Sequence, residues 1–237
     1  HDLLSSALRS AVRQDVIPAS PMERVEPPRV RTTESYFYNN QELKLLYQKI
    51  EGNILELAVK LAGSLGMRRE EICGLKWENV DLQRHLVLIR EARTAYGATI
   101  VQKETKNRAS VRTLYLPDEV YLLLEQEQAR QQQERCVQSP AYNPTDHVIL
   151  DAKGAPYSPN ALSLAFTRFV RKNDLPRLTF HALRHPYATI ASCQGASLFD
   201  IGKALGHATP ATTGRIYTHL VDRTHEELVQ RVSDALK

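Results

Sequence analysis

The strand-like runs of this chain are confined to one short block, and helical periodicity occupies the chain on both sides of it. Three runs rich in β-branched and apolar residues are joined by the turn-like sequences TAYG and TKNRAS, as in consecutive antiparallel strands. The sequence therefore predicts a mainly α-helical fold that carries a small three-stranded antiparallel β-sheet. The predicted strands are HLVLIREAR (85–93), ATIVQKE (98–104) and VRTLYLP (111–117).

A proline-rich stretch separates one N-terminal helix from the rest of the chain. Residues 17–38 contain four prolines, which disfavour a continuous helix, so this range is predicted to be a linker. Residues 2–15 carry apolar side chains at helical spacing, which predicts one amphipathic helix. A lone helix cannot form a core, so residues 1–16 are interpreted as the last helix of a truncated domain.

The main domain is predicted to span residues 39–237. Asn39 and Glu42 have the spacing of a capping box, and an apolar helical face follows them. The second half of the helical segment 119–135 is so polar that it is predicted to be a solvated helix or a frayed end. The other helical segments are predicted over 54–65, from 69 to before 77, and over 157–172, 185–194, 197–207 and 222–237.

Bulk composition limits the classes of protein. No apolar run approaches the roughly 18 to 20 residues that span a bilayer, which predicts a soluble, cytoplasmic protein. The three cysteines show no CxxC spacing, so neither a disulfide framework nor a zinc ribbon is indicated, and reduced thiols are expected. The formal net charge of +4 favours a polyanionic partner only weakly.

Tyr217, in the stretch GHATPATTGRIYTHL, is a candidate nucleophile. A free phenol has a pKa of about 10, so at neutral pH it needs a proton acceptor and nearby positive charge. Two guanidiniums could bind the non-bridging oxygens of a phosphodiester, and imidazole and ammonium groups could move protons, without a metal. The candidate groups are Arg68, Lys106, His181, Arg184 and His207.

Each candidate also has a simpler explanation. Tyr217 could be a half-buried phenol, Lys106 a solvated turn residue and His207 a helix C-terminal cap. Arg68 could form an i, i+3 ion pair with Glu71. A zinc site at His181 and His185 is disfavoured because the HExxH pattern requires Glu where this chain has Ala182.

Four segments together resemble the signature regions of the tyrosine recombinase (phage integrase) family, in the right order and over residues 39–237. As a set they are highly specific, although any one of them alone would be weak evidence. The segments are LGMRREEICGLKW, TKNRASVRTLYLP, HALRHPYAT and LGHATPATTGRIYTHL.

The resemblance implies a role for each candidate. Arg68 matches the family's first arginine, and Glu71 the acidic residue that supports it. Lys106 matches the β-hairpin lysine that protonates the leaving 5′ oxygen. The remaining matches are His181 and Arg184 with the His-x-x-Arg pair, His207 with the second histidine, and Tyr217 with the nucleophile that forms a 3′-phosphotyrosyl bond.

The implied activity is site-specific DNA cleavage and rejoining for integration or excision of a mobile element, with no metal or nucleotide cofactor. The implied partners are double-stranded DNA and copies of the chain, as a tetramer on DNA. The N-terminal helix resembles the end of the family's core-binding domain. The apolar face of EELVQRVSDALK, at the C-terminal end, would pack on a neighbouring protomer or on its own domain.

Pro186 departs from the family pattern, which usually has a small polar residue there. If the helix starts at Pro186, the ring lies harmlessly in the first turn, and this start is the one predicted. A start near Ala182 would tilt Arg184. Three other functions stay open at this point: a type IB topoisomerase, a catalytically silent DNA-binding regulator and a metal-dependent hydrolase.

Overall fold

The computed structural model describes residues 1–28, 36–97, 99–104, 111–138 and 142–207. The chain divides into two compact units, residues 1–36 and residues 37–237. Within the described ranges, no helix is both long enough and apolar enough to cross a membrane. The three cysteines all lie in described ranges and are unpaired, Cys73 in the interior and the other two at the surface.

Over its described residues, 1–28 and 36, the first unit contains a single α-helix. Helix α1 spans Asp2–Arg13, two residues shorter than predicted, and a short 3-10 turn spans Pro21–Arg24. Leu3 is 84% exposed and Leu4 is 60% exposed, whereas Leu8, Ala11 and Val12 on the same helix are partly buried. The origin of this helix in a core-binding domain, and the extent of the linker over 17–38, stay predictions.

The second unit contains the remaining helices. It begins with the predicted capping box: the Asn39 side chain accepts hydrogen bonds from the backbone N–H of Gln41 and Glu42, and the Glu42 carboxylate accepts one from the Asn39 N–H. The helices are α2 Asn40–Ile50, α3 Glu56–Leu65, α4 Arg69–Gly74, α5 Asp118–Gln138, α6 Pro159–Lys172, α7 Arg184–Cys193 and α8 Leu198–Leu205. The predicted helix over 222–237 lies outside the described residues.

The fold class is confirmed, but the sheet differs from the prediction. The described strands are β1 Val80–Asp81, β2 Leu86–Ile89, β3 Glu91–Tyr96, β4 Thr99–Glu104 and β5 Arg112–Tyr115. β1, β2 and β5 form a three-stranded antiparallel sheet, whereas β3 and β4 form a separate two-stranded hairpin.

The predicted strand 85–93 is therefore wrong as a single strand, because it breaks at Arg90. Before the break, Val87 and Ile89 point into the core, and Val87 pairs with Leu114 of β5. After it, the side chains of β3 are only partly buried and offer no apolar face to that core. The apolar side chains thus hold β2 in the three-stranded sheet and leave β3 to pair with β4.

Helix α3 forms the centre of the core. Ala58, Val59, Leu61 and Ala62 are fully buried, and α3 packs against α7 and against the 3-10 turn that precedes α7. A smaller apolar cluster of Ala188, Ile201 and Leu205 joins α7 to α8. The core therefore fixes the start of α7, and the smaller cluster fixes the end of α8 beside it.

The second half of α5 is ordered by a buried amide rather than by apolar residues. Gln131 is 2% exposed, and its side-chain oxygen accepts hydrogen bonds from Trp77 Nε1 and Asn143 Nδ2, each at 2.9 Å. Its nitrogen donates to the Val148 carbonyl, also at 2.9 Å. The half predicted to be solvated or frayed is thus a continuous and mostly exposed helix that buries one polar side chain, which the periodicity of apolar residues does not detect.

Candidate active site at the C-terminal end of helix α8

Helix α8 ends in a left-handed glycine, and the N–H groups of this glycine and of the next residue bind two backbone carbonyls. Gly206 has a φ of 64°, and its N–H donates to the Lys203 carbonyl at 3.0 Å. The His207 N–H donates to the Gly202 carbonyl at 2.9 Å. This is the usual way in which a glycine closes a helix, and it leaves the next carbonyls for side chains.

Three arginines bind the next three carbonyls in order. Arg112 Nε donates to the Ala204 carbonyl at 2.6 Å, Arg184 Nη2 to the Leu205 carbonyl at 3.0 Å, and Arg68 Nη2 to the Gly206 carbonyl at 2.6 Å. The C-terminal end of a helix carries partial negative charge, which favours these cations. We call Arg68, Arg112 and Arg184 the arginine cluster.

The cluster is assembled from three separate elements. Arg68 is the N-cap of α4, Arg112 begins β5 and Arg184 begins α7. Their exposure differs: the side chain of Arg68 is 29% exposed, that of Arg112 is 6% exposed, and Arg184 as a residue is 5% exposed. Arg68 is therefore the most accessible of the three.

Glu71 links two of these arginines. Its buried carboxylate accepts both Arg112 Nη1 (2.9 Å) and Arg112 Nη2 (2.8 Å), a bidentate pairing, and also Arg68 Nη1 at 2.8 Å. The Arg68 backbone N–H donates to the same carboxylate at 2.8 Å. The i, i+3 ion pair of the simpler explanation is thus present, but it forms part of a larger buried network.

The charge of Glu71 is held by this network. Burial alone would raise the pKa of the carboxyl, but the hydrogen bonds and charge of Arg112 and the charge of Arg68 outweigh burial and lower the pKa to about 2. Glu71 is therefore ionised at every pH at which the domain would work.

Gly206 is enclosed by the cluster. A Cβ at this position would lie 2.7 Å from Arg112 Nη1 and 3.1 Å from Arg68 Nη1. The positive φ independently disfavours any residue with a side chain. Glycine is required here for both conformation and space.

Two histidines lie in the positive field of the arginines. Desolvation of the half-buried His207 ring, together with the charges of Arg184, Arg68 and Arg112, lowers the pKa of His207 to about 4. The pKa of His181 is also lowered, by partial desolvation of the ring and by the charge of Arg184, although the residue as a whole is exposed. Both imidazoles are thus held neutral at pH 7 and can accept a proton.

Helix α7 begins two residues before the predicted start. A 3-10 turn spans Phe180–Leu183, the α-helix begins at Arg184, and Pro186 lies in its first turn. N–H groups of the first turn have no acceptor within the helix, so the proline ring breaks no hydrogen bond there. The predicted start at Pro186 is therefore wrong by two residues, although the ring does lie in the first turn, and its harmlessness for Arg184 stays a prediction.

His185, the second histidine of the HxxxH spacing, contacts an aromatic ring. The His185 ring packs on the Phe37 ring with centroids 3.9 Å apart. In the part of the chain that the structure describes, no group of three or more His, Cys, Asp and Glu side chains is placed to hold a metal ion.

The structure brings Arg68, Glu71, Arg184 and His207 together at the end of α8, with His181 in their field. Lys106 and Tyr217 lie outside the described residues. Sequence reasoning missed Arg112. The signal was present, because Arg112, Leu114 and Leu116 alternate along one strand, and a charged residue on that apolar face implies a buried partner.

The fold is that of tyrosine recombinase catalytic domains. It is similar to the structure of the Tn1549 transposon integrase in complex with transposon right end DNA, with a TM-score of 0.75, 20% identity, and coverage of 94% of this chain and 76% of the other. It is also similar to the XerA recombinase, with a TM-score of 0.63, 23% identity, and coverage of 86% of this chain and 66% of the other.

The chain belongs to the phage integrase family, whose sequence profile matches residues 37–224. It is 28% identical to a "Tyrosine recombinase XerC-like" protein of Caldanaerobacter subterraneus, over 92% of this chain and 58% of that protein. It is 22% identical to the ICEBs1 integrase of Bacillus subtilis, over 98% of this chain and 64% of that protein. The chain thus spans less than two thirds of the length of these two relatives.

Proposed function

We propose that this chain is the catalytic part of a site-specific DNA recombinase that cleaves and rejoins strands through Tyr217. The observation that supports the proposal most directly is that Arg68 and Arg184, from distant parts of the sequence, bind the carbonyls of adjacent residues next to His207. Two guanidiniums at this spacing can bind the non-bridging oxygens of one phosphate.

In the proposed reaction, the Tyr217 phenolic oxygen attacks the phosphorus atom and forms the 3′-phosphotyrosyl bond while the bond to the 5′ oxygen breaks. A neutral imidazole, His181 or His207, takes the phenolic proton, and Lys106 gives a proton to the departing 5′ oxygen. Arg68 and Arg184 stabilise the charge that develops on the phosphate. Rejoining is the same sequence in reverse.

The proposal makes a demand on Arg184. Its guanidinium is now bonded to the Leu205 carbonyl and the residue is 5% exposed, so DNA binding has to increase its exposure for a phosphate to reach it. Arg68 is already accessible. A DNA complex that leaves Arg184 as buried as it is here would contradict its assigned role.

Double-stranded DNA and further copies of the chain are the proposed partners. The Tn1549 integrase is solved in complex with transposon DNA, and lambda integrase as a tetramer bound to a Holliday junction. The names of the relatives favour a recombinase over a topoisomerase, and the ICEBs1 and Tn1549 integrases favour a mobile element as the context.

The test is covalent capture. The chain is incubated with nicked suicide duplexes from a random-sequence pool in the presence of EDTA, and the products are separated on a denaturing gel. A DNA-linked protein band that is lost in Tyr217→Phe supports the proposal. DNA cleavage that leaves no DNA-linked band and is abolished by EDTA would instead indicate the hydrolase. DNA binding without any cleavage would indicate the silent regulator, and supercoil relaxation by dilute monomer the topoisomerase.

A further inference from the structure

Arg112 is outside the set of residues that the family resemblance assigns. We propose that it is a positioning residue, which holds Arg68 in place through the Glu71 carboxylate and holds the end of α8 on which Arg68 and Arg184 dock. The role assigned to Arg68 in this inference rests on the function proposed above.

The first step is the shared carboxylate. Glu71 Oε1 accepts Arg112 Nη1 at 2.9 Å and Arg68 Nη1 at 2.8 Å, so one oxygen fixes both guanidiniums. The second oxygen binds Arg112 Nη2 at 2.8 Å, which prevents rotation of the carboxylate. The side chains of Glu71 and Arg112 are 2% and 6% exposed, so water cannot readily replace either partner. The orientation of Arg68 therefore depends on Arg112.

The second step is the end of the helix. Arg112 Nε binds the Ala204 carbonyl at 2.6 Å, beside the carbonyls that Arg184 and Arg68 bind. Its guanidinium also lies against Gly206, where it would meet any added Cβ at 2.7 Å. Arg112 thus connects the residue that orients Arg68 to the backbone that Arg68 and Arg184 share.

The third step is charge. The charged groups facing Glu71 are Arg68 at the start of α4 and Arg112 on β5, while His207 at the end of α8 faces both arginines. Burial raises the pKa of Glu71, and Arg112 and Arg68 together oppose this effect. Without Arg112, only Arg68 would oppose it, so the pKa of Glu71 would be higher than in the wild type. Protonation of Glu71 at mildly acidic pH would then release the Arg68 guanidinium.

The main experiment compares Arg112→Met with Arg112→Lys in the covalent capture assay under single-turnover conditions. We expect Arg112→Met to slow cleavage by about a hundredfold, while DNA affinity changes by less than about threefold, because the loss is one of geometry at the phosphate. The cleavage rate of Arg112→Met should also fall at mildly acidic pH through protonation of Glu71, a fall that the wild-type pH profile should not show. Arg112→Lys keeps the charge but loses the bidentate pairing with Glu71, so its cleavage rate should lie between those of Arg112→Met and wild type.

Two controls separate positioning from general destabilisation. Lys60→Met removes another buried cation, which pairs with Glu56 and Glu119, and should leave the cleavage rate of the folded protein unchanged. In a double-mutant cycle, Glu71→Gln and Arg112→Met should be strongly non-additive in cleavage rate. Additive effects, or an equal loss of rate in Lys60→Met, would overturn the inference.

A measurement without DNA keeps this inference distinct from the proposed function. In protein labelled with ¹⁵N-arginine, the Arg68 Nη–H signals, assigned through Arg68→Lys, should exchange with solvent faster in Arg112→Met than in wild type, because Nη1 and Nη2 donate to Glu71 and to the Gly206 carbonyl. Unchanged exchange would overturn the positioning role even if cleavage is observed. Faster exchange without any wild-type covalent complex would support positioning and contradict the proposed recombinase.

Discussion

Arg68 and Arg184 dock on consecutive carbonyls, those of Gly206 at 2.6 Å and Leu205 at 3.0 Å, although one belongs to the start of α4 and the other to the start of α7. The end of α8 is therefore a common surface for both guanidiniums. Both arginines donate to the backbone of one helix end, and Arg68 is held in addition by the Glu71 carboxylate, so the end of α8 relates the position of one guanidinium to that of the other.

Arg68→Lys should reduce DNA cleavage by about a hundredfold or more, because the single ammonium nitrogen lacks the planar set of donors by which the guanidinium reaches Glu71, the Gly206 carbonyl and a phosphate in fixed directions. The matched control is the neighbouring Arg69→Lys. Arg69 binds Glu70 and Ser163 instead of the cluster, so its replacement should leave the rate within about threefold. Rates come from single-turnover capture, and equal losses in the two variants would contradict the assignment.

Gly206→Ala should destabilise the domain more than Gly52→Ala does. Both glycines have positive φ, but a Cβ at Gly52 meets nothing within 4 Å, whereas one at Gly206 collides with Arg112. The backbone term should cost about 1 kcal/mol in each variant, and the collision should add at least about 1 kcal/mol in Gly206→Ala. Urea denaturation measures the stability of both variants. Similar midpoints would show that the side chains of the arginine cluster move aside at little cost in free energy.

Stability should fall between about pH 4.5 and pH 2 through protonation of Glu71. Its folded-state pKa of about 2 lies below the usual 4.5, so the stabilising contribution is complete above 4.5 and is lost as the pH approaches 2. The shift corresponds to about 3 kcal/mol. The free energy of unfolding, measured by urea denaturation at a series of pH values, should show this loss in wild type but not in Glu71→Gln. The same loss in Glu71→Gln would show that other groups cause it.

His207 and His147 should both destabilise the fold when they are protonated, but only His207 should affect cleavage. Each has a pKa lowered from 6.5 to about 4, chiefly by desolvation, so each stabilising contribution is complete above 6.5 and is lost towards pH 4. His207→Gln and His147→Gln should each weaken that pH dependence in thermal unfolding. Cleavage at pH 7 should fall only in His207→Gln, and a matching loss in His147→Gln would contradict this division.

Gln131→Ala should cost about 2 to 3 kcal/mol of stability, because it leaves the Trp77 indole and the Val148 carbonyl without their buried partner. The control is Gln132→Ala. Gln132 is the next residue of α5 but is exposed, so its replacement should change stability by less than about 0.5 kcal/mol. Fluorescence of Trp77, the single tryptophan of the chain, reports the transition in urea. Equal stability of the two variants would show that the amide network contributes little.

Local sequence signals predicted the parts of the fold that local chemistry determines. The Asn39 capping box, the helical segments and the first-turn position of Pro186 follow from hydrogen-bonding capacity within a few residues. The split of 85–93 at Arg90 could not be predicted, because it depends on which face of each strand meets a core built from α3 and α5.

The site was predictable to a similar degree. The motifs identified Arg68, Glu71, Arg184 and His207, which the structure places together, but not the residue that connects them. Arg112 acts across three elements, and only the fold shows that its strand faces Glu71 and α8. The roles of Lys106 and Tyr217 stay predictions.

The docking of three guanidiniums on Ala204, Leu205 and Gly206 also restricts how α8 can change in length. One inserted residue rotates everything beyond it by about 100° and advances it by about 1.5 Å. Such an insertion would turn all three acceptors away from their donors at once. Homologous chains should therefore tolerate diverse side chains on the outer surface of α8, while insertions and deletions within this helix should be rare.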